Sequence, residues 1–192
     1  MPALRQRAGS GNILRGIWLL ASGRAAGMRE FGNTADALTS SLAPLIAFPL
    51  VGALLVAMNG QPVLAALGLL SRLCGVLALP VITQAYAKLV GREAVWLRTA
   101  TALDWAFWIL IPLLLVAALL GAMMVTAGIS QIRAEEIVIV LLGAYMLWLH
   151  WFTVRAGLAI SGLLAAGLVV ISNGVIGVLT FGPDLLGMVT GK

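Results

Sequence analysis

Between Leu38 and Met58 the chain runs LTSSLAPLIAFPLVGALLVAM, 21 residues without a charge. At about 1.5 Å per helical residue this run reaches about 31 Å, the thickness of a bilayer's hydrocarbon core. No water meets the backbone there, so such a run has to close its own hydrogen bonds as a helix. About five runs of this kind follow one another. Composition agrees: 61% of residues are hydrophobic, only 10% are charged, and the mean hydropathy is +1.07. A soluble domain of ordinary composition is excluded. The expected fold class is an all-α integral membrane protein. A bundle of about five transmembrane helices (36–192) follows a basic arm (1–35) that carries an amphipathic interfacial helix.

The arm opens with MPALRQRAGS, a basic tip expected to be disordered, and a helical pattern starts after Asn12, a plausible N-cap. On a 100° wheel Ile13, Leu14, Ile17, Trp18, Leu20, Ala21, Ala25 and Met28 share one face, with Arg15, Ser22, Arg29 and Glu30 opposite. Such a helix either lies on the membrane surface, apolar side down, or packs on the protein's own base. The first 35 residues hold five arginines and no apolar core ending in a small-residue cleavage site, so a cleavable signal peptide is not expected.

The spans are placed at about 38–58, 64–90, 101–128, 137–154 and 158–181. Pro44, Pro49, Pro80 and Pro112 fall inside them, each removing one backbone hydrogen bond. Residues 62–90 are long for one upright crossing. Either the helix is tilted and kinked at Pro80, or its first third lies in the outer interface and keeps Arg72 out of the lipid. The last 45 apolar residues, Ile137 to Phe181, must turn back once, and Arg155-Ala156-Gly157 is the expected turn. Gly182-Pro183-Asp184 is expected to end the fifth helix. Small residues four apart (Gly157, Ser161 and Ala165; Gly162 and Ala166; Asn173 and Gly177; Ala117 and Gly121) predict close helix packing in lipid, within the chain or between two copies.

Orientation follows from Lys and Arg near the span ends. Arg5, Arg7, Arg15, Arg24, Arg29, Lys88, Arg92, Arg98 and Arg155 fall on one side, Arg133 and Lys192 on the other. The excess marks the cytoplasm, placing the N-terminus inside and the C-terminus outside a bacterial inner membrane. All six tryptophans, Trp18, Trp96, Trp105, Trp108, Trp148 and Trp151, fall on or near the same boundary as a one-sided belt. Arg15, Trp18, Arg24, Arg29, Lys88, Arg92, Arg98 and Arg155 are the candidate contacts for anionic lipid heads or a membrane-protein partner. The formal charge of +5 does not point to nucleic acid, because the basic residues sit between apolar runs instead of forming a patch.

Polar groups inside lipid cost about 2.5–3.5 kcal/mol each for Asp, Lys or Arg on insertion scales, so the few present are candidates for function. They are Arg72, Gln84, Asp104, His150 and Asn173. Asp104 and His150 could form a proton-accepting pair. The plainer alternative has Asp104 capping the third span and pairing with Arg98 or Lys88, while His150 donates to a backbone carbonyl or Gln84. Arg72 and Asn173 are expected at similar depth. One histidine and one cysteine cannot frame a zinc site, and no G-x-S-x-G or H-E-x-x-H occurs, so neither catalysis, cofactor nor metal is expected.

The arm segment LLASGRAAGMREF, the double-proline run APLIAFPLVGAL, the stretch VITQAYAKLVGREAVWLRTATALDWAFWIL and a compact final hairpin together resemble bacterial members of the Yip family. The likeness runs from about Leu14 to Leu179 and is one of layout. It implies five helices and a cytoplasmic N-terminus. Eukaryotic relatives bind Rab GTPases, but this arm is too short to display a recognition domain. The expectation is a non-enzymatic scaffold, lipid-organising element or accessory subunit of a membrane complex. The alternative is a small transporter or channel subunit with a polar path through the bundle.

Overall fold

The computed structural model describes residues 11–189, which form helices joined by short turns, with no strand among them. Asn12 caps α1 (Ile13–Ala21), its side chain accepting from the Arg15 amide at 3.0 Å. A 3-10 segment, Ala25–Glu30, turns the chain back under α1. Then come α2 (Ala35–Met58), capped by Thr34, and α3 (Pro62–Leu89). The third crossing is α4 (Trp96–Ala106) and α5 (Leu110–Thr126), joined by a 3-10 turn at Phe107–Ile109. α6 (Gln131–Leu158) and α7 (Gly162–Val189) complete the chain. Five helical segments are long and apolar enough to cross a membrane.

Several sequence expectations change. Residues 62–89 form one unbroken helix, so Arg72 lies within a span. The turn between the last two crossings falls at Ala159, a left-handed residue at φ 51°, and not at Arg155-Ala156-Gly157. Gly157 therefore belongs to α6, and it does not share a helix with Ser161 and Ala165. A Cβ at Gly157 would stand 2.5 Å from the Thr99 hydroxyl, so the small residue serves a close crossing of α6 with α4. At Gly177 nothing lies within 4 Å, so no close packing uses the Asn173/Gly177 pair there.

α7 also continues through Gly182-Pro183-Asp184 to Val189. Proline at 183 has no N–H for the carbonyl four residues back, that of Leu179. The Ser71 hydroxyl donates to that carbonyl at 2.7 Å. In lipid no water could make good the loss, so a hydroxyl from the neighbouring helix lets the proline stay inside. The basic tip, with Arg5 and Arg7, and Lys192 lie outside the described residues.

Alternate crossings run in opposite directions, so the bundle has an arm end and a far end. α1 packs against α4 and α6 at the arm end. The one-faced wheel divides: Ile17, Leu20 and Met28 enter a core with Ala102, Ala106 and Leu149, while Leu14 and Trp18 point away, 78% and 69% exposed. Asn33 ties the arm down, donating to the Ala94 carbonyl at 2.9 Å and accepting from the Arg98 amide at 3.0 Å. Tyr145 adds a bond to the Ala21 carbonyl at 2.8 Å.

Candidate functional site

Contacts run α2 to α3 to α7 to α6 to α5 around the bundle. α4 closes this ring at the arm end by touching α2, α3 and α6, but α5 makes no substantial contact with α2. The turn at Phe107–Ile109 thus separates a packed segment from a splayed one. The result is a cavity of about 920 Å³ that all five crossings line and that opens sideways between α2 and α5. Phe48 and Phe107, 65% and 52% exposed, flank the opening. Phe48 meets Trp108 with ring centroids 5.5 Å apart.

Four of the five sequence-selected polar residues, Arg72, Asp104, His150 and Asn173, line this cavity. Gln84, half-buried, is not among its lining residues. The expected partnerships do not form. Asp104, 2% exposed in mid-helix, accepts from the Ser41 hydroxyl at 2.9 Å, not from Arg98 or Lys88, and it caps nothing. No hydrogen bond joins Asp104 to His150 among the described residues. Instead the Asn173 amide nitrogen meets His150 Nδ1 at 3.2 Å and donates to the Val169 carbonyl at 2.8 Å. The second bond fixes which end of the amide is the NH₂, so Nδ1 is an acceptor and the ring proton sits on Nε2. His150 Nε2 and Trp108 Nε1 are both buried without a partner.

These contacts set depth. His150 is level with Asn173, whereas Ser71 is level with Leu179, six residues or about 9 Å further along α7. Arg72 therefore stands about 9 Å above the floor formed by Asp104, His150 and Asn173. The expected similar depth of Arg72 and Asn173 gives way to an offset of about 9 Å, because helix–helix pairing, not residue count from a boundary, sets the register.

Comparison with protein-family models, curated proteins and solved structures finds no match. The site has to be read from its own chemistry.

Its walls are mainly apolar with a few polar groups, the pattern of a small-molecule site. Among the described residues no three His, Cys, Asp or Glu side chains gather to hold a metal ion. Ser41 and Gly52 were not singled out from sequence, and Trp108 was read there only as one of the belt tryptophans. Ser41 carries a signal only in hindsight of depth, as a hydroxyl one helical turn before the apolar stretch of α2.

The candidate lipid contacts all fall at the arm end. Arg15, Arg24, Arg29, Lys88, Arg92 and Arg155 are exposed. Arg15 lies 3.7 Å from Glu30 and Lys88 lies 3.4 Å from Glu93. Arg155 stacks over Trp151 at 5.4 Å. Arg98 differs in being half-buried, with Nε enclosed and unpartnered. Trp108 departs from the tryptophan belt by facing the cavity.

Proposed function

We propose that this chain is a non-enzymatic, multi-pass protein of a bacterial inner membrane, of the Yip-like type, that organises the lipid phase by holding a lipid-like amphiphile between its spans. The sideways opening between α2 and α5 onto a largely apolar cavity carries this reading, because a ligand enters such a site from the bilayer and not from water. The arm end faces the cytoplasm in this proposal. Its exposed cations meet anionic heads there, each worth about 1 kcal/mol near a charged surface.

The test uses oleyl alcohol as a neutral probe and mass spectrometry of the intact protein released from mild detergent. Wild type retains the probe. Gly143→Trp fills the cavity from a position where an added Cβ meets nothing within 4 Å, and it loses the probe while melting as wild type does. Equal retention by the two proteins overturns the reading.

A transporter or channel subunit is the second reading, favoured by four polar residues lining one cavity. Below them the arm-end core is packed, with Leu149, Val154 and Leu158 at most 2% exposed, which gives no continuous polar route. Vesicles containing the protein and a pH-sensitive dye are expected to show no proton flux above protein-free vesicles. A flux abolished by Asp104→Asn would put transport in place of lipid holding.

A further inference from the structure

We infer that Arg72 is an anion-recognition site within the membrane, and that the amphiphile held there is a long-chain carboxylate whose head pairs with the guanidinium. The inference rests on the proposed reading of the cavity as an amphiphile site and names its ligand.

Depth comes first. Arg72 is ten residues, about 15 Å, from the Pro62 end of α3 and 17 residues, about 25 Å, from its Leu89 end, so it lies in the far half of the span. A long cationic side chain in a span ordinarily bends along its helix toward the nearer surface. This one does so. Its Nη1 lies 3.4 Å from where a Cβ on Gly52 of α2 would be. Gly52 is six residues from the Met58 end of α2, and Arg72 is ten residues from the Pro62 end of α3, across one short turn. The guanidinium therefore stands about 6 Å nearer the far end than its own Cα, in space that the glycine leaves open.

Charge comes second. Among the described residues Arg72 makes no ion pair and no hydrogen bond. Asp104 is the one acid lining the cavity among the same residues, and it is held against Ser41. Ser41 is 11 residues, about 16 Å, below Gly52 on α2, so that carboxylate is far from the guanidinium. A cation exposed within a span, with no counter-charge among the described residues, is suited to an external one.

The remaining polar groups set the head's size. Asn173 is engaged with His150 and Val169, and Ser41 with Asp104. The other unpartnered atoms on lining residues, His150 Nε2 and Trp108 Nε1, are fully enclosed. The exposed fork of Arg72 is left as the open donor set, which a carboxylate satisfies with two parallel bonds. A head of that size needs no further donor. Leu45, Phe48, Leu79, Ile111 and Leu114 offer the chain an apolar wall that leads out between α2 and α5.

The experiment compares retention of oleate, oleyl alcohol and phosphatidylglycerol by the full chain in mild non-ionic detergent, read by mass spectrometry of the intact protein. Wild type is expected to prefer oleate over the alcohol by about tenfold, the scale of one charge-assisted pair. Arg72→Gln erases the preference and keeps alcohol binding. Gly52→Leu keeps the charge, fills the space beside it, and also erases the preference, which covers the case in which Arg72→Gln does not fold. Equal retention of oleate and alcohol by wild type overturns the inference, as does a preference that survives in both variants. Displacement of oleate by phosphatidylglycerol overturns it in favour of a phosphate head. If the alcohol is retained and Gly143→Trp abolishes it, the amphiphile reading stands even when the carboxylate inference fails. If no probe is retained, both fall.

Discussion

The two ends of this bundle are built on different physics. At the arm end α1 and the 3-10 segment cover α4 and α6, and Leu20, Leu149, Val154, Leu158 and Leu168 are 0–2% exposed. Toward the far end α5 has no buried residue, and the buried residue of α2 is Ser41, near its arm-end start. Near water, burying apolar surface drives packing at about 25 cal/mol per Å². Within lipid that drive vanishes, because acyl chains are as apolar as leucine. Helices there hold together only where small residues, hydroxyls or tight fits allow. The ring closes where α4, α1 and the 3-10 segment fill it and parts where nothing covers it, and the cavity is the gap.

The sharpest way to break this contrast is to place the same side chain in both halves. Gly157→Leu would drive a branched carbon into Thr99 at the α4–α6 crossing, where a Cβ already stands 2.5 Å from the hydroxyl. Overpacking of this kind costs about 3 kcal/mol or more, and the protein should fail to accumulate in folded form. Gly143→Leu meets open space and should melt within about 0.5 kcal/mol of wild type. Equal losses would erase the difference between the halves. Next in size, Leu149→Ala removes a side chain 2% exposed and should cost about 2–5 kcal/mol. Leu115→Ala on α5, 68% exposed, should cost less than about 0.5 kcal/mol. Thermal melting of the detergent-solubilised protein reads all four.

Much of the fold was legible because lipid leaves a chain few options. An uncharged run such as Leu38–Met58 can only be a spanning helix, and its observed bounds, Ala35–Met58, differ only by the capped first turn. What stayed hidden depends on the neighbour across the helix pair. Pro183 reads as a stop until Ser71 is seen to serve the carbonyl it orphans. Gly157 reads as a turn residue until Thr99 is found against it. The cavity was half legible: cost of burial singled out Arg72, Asp104, His150 and Asn173, but the sequence could not say that Asp104 would be held by Ser41 and His150 by Asn173. Cost marks which residues need a reason, and register decides what the reason is.

The Ser41–Asp104 bond joins α2 to α4 where the ring closes, so it sharpens the comparison at its seam. Ser41→Ala leaves a carboxylate 2% exposed without the hydrogen bond that holds it, which should cost about 1–3 kcal/mol. Amide exchange should rise along α2 more than along α3. A uniform rise in both would mean that α2 is held by the rest of its contacts and not by this hydroxyl.

The smallest expected effect is at Trp18. It projects from α1 away from the core, 69% exposed, beside Leu14 at the same face. If the packed half owes its stability to the buried face of α1, Trp18→Ala changes the melting free energy by less than about 0.5 kcal/mol in detergent. The same variant should lower the affinity of the solubilised protein for anionic lipid nanodiscs, because an indole at that position anchors at head-group depth beside Arg15. Ile17→Ala, on the buried face and 7% exposed, should do the reverse: a lower melting temperature with little change in lipid contact. Two neighbouring positions with opposite readouts would show that α1 works on both sides at once, one for the bundle and one for the membrane surface. Matching readouts would mean that the arm is only a cover for the core.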